Sequence, residues 1–353
     1  MAIKSGAETI SGWKIGSTWG TAVAVGTGNK AAAEITINDN TQELSSKQVG
    51  SGLQMVNGVT RGSISPSISI SGDGAFTNGM PVLLAQLLGT SAAPTEVTAS
   101  QGDYRHTITF NSTLNSKYLT IARETSSTTT EEVPSAAVRS FSLSTTSIPG
   151  YLAYSAELIG DQIVLNSSTN TNATLASATF QNSDFQKALA AAAYDDDFQI
   201  NAQSGGALST SNQLDIISYS LQLDRPQETP GEIRNAAGLG APIMSDLFGG
   251  SLTVVLKSNA DNTYHNAWAN ETLYKTKFIV TGAQIGSGTS YAIEVFLPGL
   301  QLIQKPKYDP VSPGVNNVTL TFKLVQAAAN PTGMSSTYPY FVITNTQATS
   351  LLA

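Results

Sequence analysis

The sequence has no cysteine among its 353 residues, which excludes disulfides, thiolate metal sites and a cysteine nucleophile. Charge is scarce too: Asp, Glu, Lys and Arg make up 12% of the chain, against about 25% in a typical soluble domain. No run of Lys or Arg stands out and the formal net charge is −7, so a surface that grips nucleic acid by neutralising phosphates lacks its raw material. Only two histidines occur, His106 and His265, without ligand spacing, so no zinc site is expected. No window reaches the roughly 18 consecutive apolar residues of a membrane helix. The start, Met1-Ala-Ile-Lys-Ser-Gly-Ala-Glu8, lacks the apolar core of a signal peptide. The expectation is a protein made in the cytoplasm, with no cofactor, metal or membrane partner.

Catalytic motifs are missing as well. Gly26-Thr-Gly-Asn-Lys30 lacks the second Gly-Lys-Ser/Thr of a phosphate loop, and Asp39-Asn-Thr-Gln-Glu43 lacks the glycine of an EF-hand. Asp195-Asp-Asp197 reads as a solvated loop, because three consecutive acids rarely converge on one ion. Nothing singles out a carboxylate pair for glycoside hydrolysis. The expectation is that the protein is not an enzyme.

What is present is alternation of apolar and polar residues. Ile64, Ile68 and Ile70 sit among serines, and Phe141 and Leu143 alternate with Ser140, Ser142 and Ser144. The same period of two runs through Ile217–Leu223 and Val318–Leu324 and marks half-buried strands. β-branched and aromatic residues add strands at Tyr104–Phe110 and Phe278–Thr281. Helix signals are few: Pro81–Leu88 closed by Gly89, an Ala-rich stretch Gln186–Ala193, and a weaker segment Tyr264–Tyr274 with Trp268 facing the core. Residues 1–33, Thr125–Pro134 and Asn166–Ala173 read as irregular, and Tyr338–Thr344 as an added edge strand that tolerates Pro339. The fold class expected is mainly β.

The order of elements repeats. A strand ending near Asp39 matches one ending at Asp224, and each leads through a glycine-containing loop to a Gly-Ser-aliphatic strand start, Gly62–Ile64 and Gly250–Leu252. A helix follows in each, then two strands (104–110 and 117–123 against 278–281 and 290–297), then a Pro-Gly before an alternating strand (Pro149-Gly150, Pro313-Gly314). Matching Asp39 to Asp224 puts Ile35 and Ile37 out of phase with Leu221 and Leu223, a one-residue conflict that a β-bulge would absorb. The resulting division is an arm (1–33), a first β domain (34–165), a connector with a short helix (166–213), a second β domain (214–330) and a C-terminal tail (331–353).

Taken in order, these features resemble the tail tube proteins of long, non-contractile-tailed bacteriophages. The likeness is carried by Gly16-Ser-Thr-Trp-Gly-Thr21, Thr60-Arg-Gly-Ser63, the helix ending Leu87-Leu-Gly89, the pair Ile217–Leu223 and Leu252–Leu256, and Tyr291–Gly299 with Gly314–Phe322. The resemblance implies two β-sandwich or β-barrel halves, each with a short flanking helix, in a virion protein that stacks as rings around a DNA channel. It implies a ring of pseudo-sixfold symmetry, either a trimer of two-domain chains or a hexamer. Tape measure, tail terminator and distal tail proteins are the implied partners, with duplex DNA passing through without specific binding. Acids at strand ends, Glu34, Asp39, Asp215 and Asp224, become candidates for the channel lining, where they would repel phosphate. Trp13, Trp19, Arg61, Arg225 and Pro226 become candidate contacts between subunits. The rival expectation is a receptor- or carbohydrate-binding β protein.

Overall fold

The computed structural model describes residues 9–31, 33–40, 43–45, 59–61, 65–73, 77, 79–113, 116–145, 152–181, 198–229, 239–257, 262–287, 289–309 and 317–353. The Ala-rich stretch at 186–193, Gly62–Ile64, both Pro-Gly pairs and the triple Asp at 195–197 lie outside these residues.

In chain order the elements begin with β1 (Ser11–Gly16), β2 (Ala33–Asn38), the paired β3 (Glu43–Ser45) and β4 (Val59–Arg61), β5 (Ser67–Asp73) and helix α1 (Met80–Leu88). Next come β6 (Gly89–Ser91), β7 (Thr95–Glu96), β8 (Tyr104–Phe110), β9 (Tyr118–Glu124), β10 (Thr130–Thr145), β11 (Ala153–Gly160), β12 (Val164–Leu165) and helix α2 (Asn172–Ser177). Then follow β13 (Phe198–Ala202), β14 (Ile216–Asp224), the paired β15 (Gln227–Glu228) and β16 (Ile243–Met244), β17 (Gly249–Lys257) and helix α3 (Thr263–Ala269). The remaining strands are β18 (Leu273–Gln284), β19 (Ser290–Leu302), β20 (Lys307–Asp309), β21 (Asn317–Leu324) and β22 (Tyr340–Asn345). The protein is mainly β, as the alternation predicts.

Every named ladder is antiparallel. One series of neighbours runs β2–β5–β11–β10–β9–β1. A second runs β14–β17–β21–β19–β18–β13. The two meet where the C-terminal part of β10 pairs with β14, Ser140 opposite Asp224 through Thr145 opposite Tyr219. A further arm leaves β19 through β22 to β8. Among the described residues these pairings form a branched, open network: none closes it into a ring, and β2 and β20 each end it with one paired neighbour.

Alternation places the apolar side chains of these strands on one face. One hydrophobic cluster draws on both series, including Trp13, Ile35, Ile70, Phe141, Leu221, Val254 and Phe322. Helix α1 starts with Pro81 in its first turn and stops at Gly89, whose φ of 93° is the left-handed conformation that glycine adopts without a Cβ clash. All nine of its residues are buried.

Several expectations are corrected. Residues 1–33 are not an irregular arm throughout: β1 pairs with β9 and Trp13 is 0% exposed. Thr130–Pro134 belong to β10, and Asn172–Ser177 form α2, N-capped by the Thr171 side chain. The segment at 340–345 is an interior strand, not an edge, because Pro339 precedes it and leaves its donors free for β19 and β8. Helix α3 ends at Ala269 rather than 274, and its Trp268 is 37% exposed rather than core. Strands β8 and β9 do not pair with each other: β9 forms a hairpin with β10, and β8 pairs with β22.

Candidate functional site: a serine- and threonine-lined sheet face

The strands β2, β5, β11, β10, β14, β17, β21 and β20 lie side by side as a continuous antiparallel sheet. Its inner face is aliphatic and aromatic. The opposite face carries the alternate residues: Thr36, Ser67, Ser69, Ser71, Ser155, Ser142, Ser144, Ser220, Ser251, Thr253, Thr319 and Thr321, all exposed or half-buried. Short hydroxyls of this kind solvate a surface without presenting long flexible charges. Ser142 and Ser155 hydrogen-bond across β10 and β11 at 2.7 Å, so part of the carpet is self-satisfied.

The charges on this face are sparse and of both signs. Glu34 lies opposite Ser71 and is exposed, and Asp224 lies opposite Ser140, half-buried, accepting from Gln222 Nε2 at 2.9 Å. Asp73 and Glu157 share the face, as do Lys307 and Lys323 on the far strands. Burial raises the Glu157 carboxyl above its usual range, with Arg139 opposing it. Asp39 and Asp215 are exposed but lie just outside β2 and β14. So the structure brings Glu34 and Asp224 onto one face and adds two acids and two lysines that only strand register reveals. The face is therefore mainly hydroxyl, with a few charges of both signs.

The seam between β10 and β14 is built with care for its polar groups. The β10 ladder shifts register between Val138 and Ser140, a bulge that redirects the strand from its first pairings towards β14. Two glutamine side chains satisfy the backbone there: Val138 N donates to Gln86 Oε1 at 2.7 Å, and Gln227 Nε2 donates to Val138 O at 2.8 Å. Immediately beyond β14, Arg225 N donates to Arg139 O at 2.7 Å and continues the ladder.

Arg225 itself is 0% exposed, so it is not a subunit contact. Its Nη1 donates to Leu87 O at 2.7 Å and its Nη2 to Asn111 O at 2.9 Å, while its guanidinium lies 5.6 Å from the centre of the Phe110 ring. Leu87 O is one of the last carbonyls of α1, where a cation meets the negative end of the helix dipole. Burial lowers the Arg225 pKa to about 10, so the group stays charged at neutral pH. Trp13 is likewise a core residue rather than an exposed anchor. Trp19 is half-buried, donates from Nε1 to Leu239 O at 2.7 Å and meets Tyr118 edge-on at 4.9 Å. Pro226 is half-buried and its carbonyl accepts from Ser245 N. Arg61 stands in β4, paired opposite Glu43.

Away from the sheet face, a cleft of about 420 Å³ is lined by Phe110, Phe248, Tyr338, Leu247, Asp246 and Gln326 among others. Among the described residues no group of three His, Asp or Glu could hold a metal ion. No described helix is long and apolar enough to cross a membrane.

No family model matches the chain, and no curated protein matches it.

Proposed function

We propose that the chain is the tube-forming subunit of a long, non-contractile phage tail, built from two related halves that alternate around a ring. The observation that carries this reading is the β10–β14 ladder. It joins the fourth strand of the first series to the first strand of the second, end to start, as a subunit interface would, yet lies within one chain.

The equivalence rests on register. One constant offset takes Ile35 to Tyr219, Ile37 to Leu221, Ile68 to Leu252 and Ile70 to Val254, each buried and each in the matching ladder. Their neighbours Ala156 and Leu158 on β11 then match Leu320 and Phe322 on β21. The two short ribbons, β3–β4 and β15–β16, fall at the same place in each half. The phase conflict seen when Asp39 is set against Asp224 disappears, because the ladders match Asn40, not Asp39, to Asp224. No bulge is needed.

The same correspondence makes β20 the counterpart of the end of β10, and β2 the counterpart of β14. Among the described residues each of them pairs with one strand, so a second copy fits head to tail with β20 against the next β2. The register follows from Ser142 opposite Gln222 and Ser144 opposite Ser220: Lys307 opposite Asn38, and Asp309 opposite Thr36. Such a contact is heterologous, and it makes a closed ring when the rotation closes. Three chains would give roughly 24 strands and a barrel on the order of 40–50 Å across, with the hydroxyl face inward and no free edges. Stacked rings would form the tube, assembled in the host cytoplasm and carried in the virion.

The test uses the absence of cysteine. A chain with Asn38→Cys and Lys307→Cys should cross-link between copies under mild oxidation, since paired Cα atoms in such a ladder lie within disulfide reach. Non-reducing gels should show a series ending at three chains, and electron microscopy should show hollow rings or tubes. A series ending at six would replace the trimer with a hexamer. A chain that stays monomeric at high concentration would refute the reading.

One observation favours a second reading, a carbohydrate-binding β protein. In the cleft the Phe110 ring lies 4.6 Å from Phe248 and 4.8 Å from Tyr338, beside Asp246 and Gln326. Aromatic faces with nearby polar groups suit a sugar ring. Binding of soluble glycans by the monomer, without rings, would favour it.

A further inference from the structure

The two helices α1 and α3 follow β5 and β17 and occupy equivalent places, yet their surroundings differ. The offset that aligns the strands sets Met80 against Tyr264, Leu83 against Ala267 and Leu84 against Trp268. The first two pairs are buried in both halves, so both helices turn the same side to the core. The third pair differs: Leu84 is 1% exposed and Trp268 is 37% exposed.

The reason is what lies over each helix. In the first half β6 and β8 pack on α1, and Arg225, from the start of the next half, bonds to its last turn. In the second half the chain passes from Asn270 almost directly into β18, so nothing corresponding to β6–β8 is inserted. Two further exposed apolar residues follow the helix in the chain. Leu273, 36% exposed, lies opposite Gln301 on β19, and Ile303, 48% exposed, is two residues further along the same face. In an antiparallel pair such diagonal neighbours are about 7–8 Å apart. Ile303 bonds through its N–H to Thr321 O and leads into β20, so it and Leu273 adjoin the strand edge described above.

We infer that Trp268, Leu273 and Ile303 form a docking surface for a second copy of this chain, brought against it when that copy pairs along the β20 edge. The inference rests on the tube reading and extends it from a strand edge to a side-chain surface. Its template is inside the molecule: Arg225, just after β14, crosses the seam and reaches the end of α1, and α3 is the counterpart of α1. Large apolar side chains beside a ladder edge supply the desolvated anchor that backbone pairing alone lacks. They also give a role to the exposed tryptophan of a seven-residue helix whose other exposed residues are Thr263, Asn266 and Ala269.

The experiment compares self-association of the wild-type chain with Trp268→Ser, Ile303→Ser and the double variant, by sedimentation over a concentration series. Circular dichroism and urea midpoints check that each variant stays folded, as expected for exposed positions. Association of Trp268→Ser should need at least tenfold higher concentration than wild type, and the double variant more, while Leu165→Ser, at an exposed site on β12, should match wild type. Ile303→Ser alone decides the matter where Trp268→Ser loses its fold. Unchanged association of the variants beside an associating wild type would overturn the docking surface and leave the tube reading standing. Equal weakening by Leu165→Ser would overturn it as well. A wild type that never associates would overturn both.

Discussion

Replacing Asp161 with Asn should flatten the pH dependence of stability between about pH 4 and pH 7. Asp161 is 1% exposed, at the end of the β11 strand, where its Oδ1 accepts from Ser135 N at 3.2 Å and Gln162 N at 2.8 Å. Its Oδ2 has no hydrogen-bond partner among the described residues. Burial raises its pKa to about 6, the backbone bonds oppose the rise, and the Glu132 carboxylate adds to it. The folded chain therefore holds this proton more tightly than the unfolded chain, whose aspartate titrates near 3.9. The group's contribution is fully present below about pH 4 and is lost as pH climbs through about 6. A difference of roughly two units corresponds to about 3 kcal/mol across that window. Urea titrations at pH 4.5 and pH 7.5, on wild type and Asp161→Asn, read the effect as a difference of differences. The variant should lose about 2 kcal/mol less than wild type on going from pH 4.5 to pH 7.5, since part of the full difference already falls below pH 4.5. Glu157 shifts in the same direction, but it is common to both proteins and cancels. Identical pH slopes in the two proteins would refute the argument.

Two further outcomes follow from buried contacts. Arg225→Met should destabilise the chain by about 2–4 kcal/mol in urea denaturation, because Leu87 O and Asn111 O lose their donors at the end of α1; a change under 0.5 kcal/mol would remove that role. Gly250→Ala should cost about 2 kcal/mol or more in a thermal melt, since a Cβ there runs into Gln222 O across the β14–β17 ladder; an unchanged melting temperature would show that the strands separate without penalty.

The parts of this fold that were legible in the sequence are those where period and burial coincide. Strand β8 matches its expected range, and β14 and β21 fall within a residue of theirs, because one face of each is core and the other is wet. Helix α1 was legible from Pro81 and Gly89. The first half of β10 was not, because Glu132 through Val138 are all buried and the alternation vanishes. Its Ser and Thr neighbours resemble a loop in composition, yet buried Glu132 is held by Asn170 Nδ2 at 2.6 Å. Strand β1 was hidden by Gly12 and Gly16. Gly12 is there because a Cβ would collide with Asn29 O, a long-range fact no local pattern carries. On the candidate face, Glu34 and Asp224 could be named from strand ends, but Asp73, Glu157, Lys307 and Lys323 needed the register of five ladders. In the repeat proposed above, the one-residue conflict comes from anchoring on Asp39 and Asp224, outside the core where nothing fixes the phase, instead of on the isoleucines.

The β8–β22 ladder also sets an order of events during synthesis. Ile108 is 0% exposed and lies opposite Phe341, more than half the chain away. Until Tyr340–Asn345 has left the ribosome, β8 has no partner along that edge and β19 has none beyond β18 over residues 292–296. Folding with such distant pairings is slow, and an unpaired edge is an aggregation hazard while it waits. The sheet is completed only once residues 340–345 have been made.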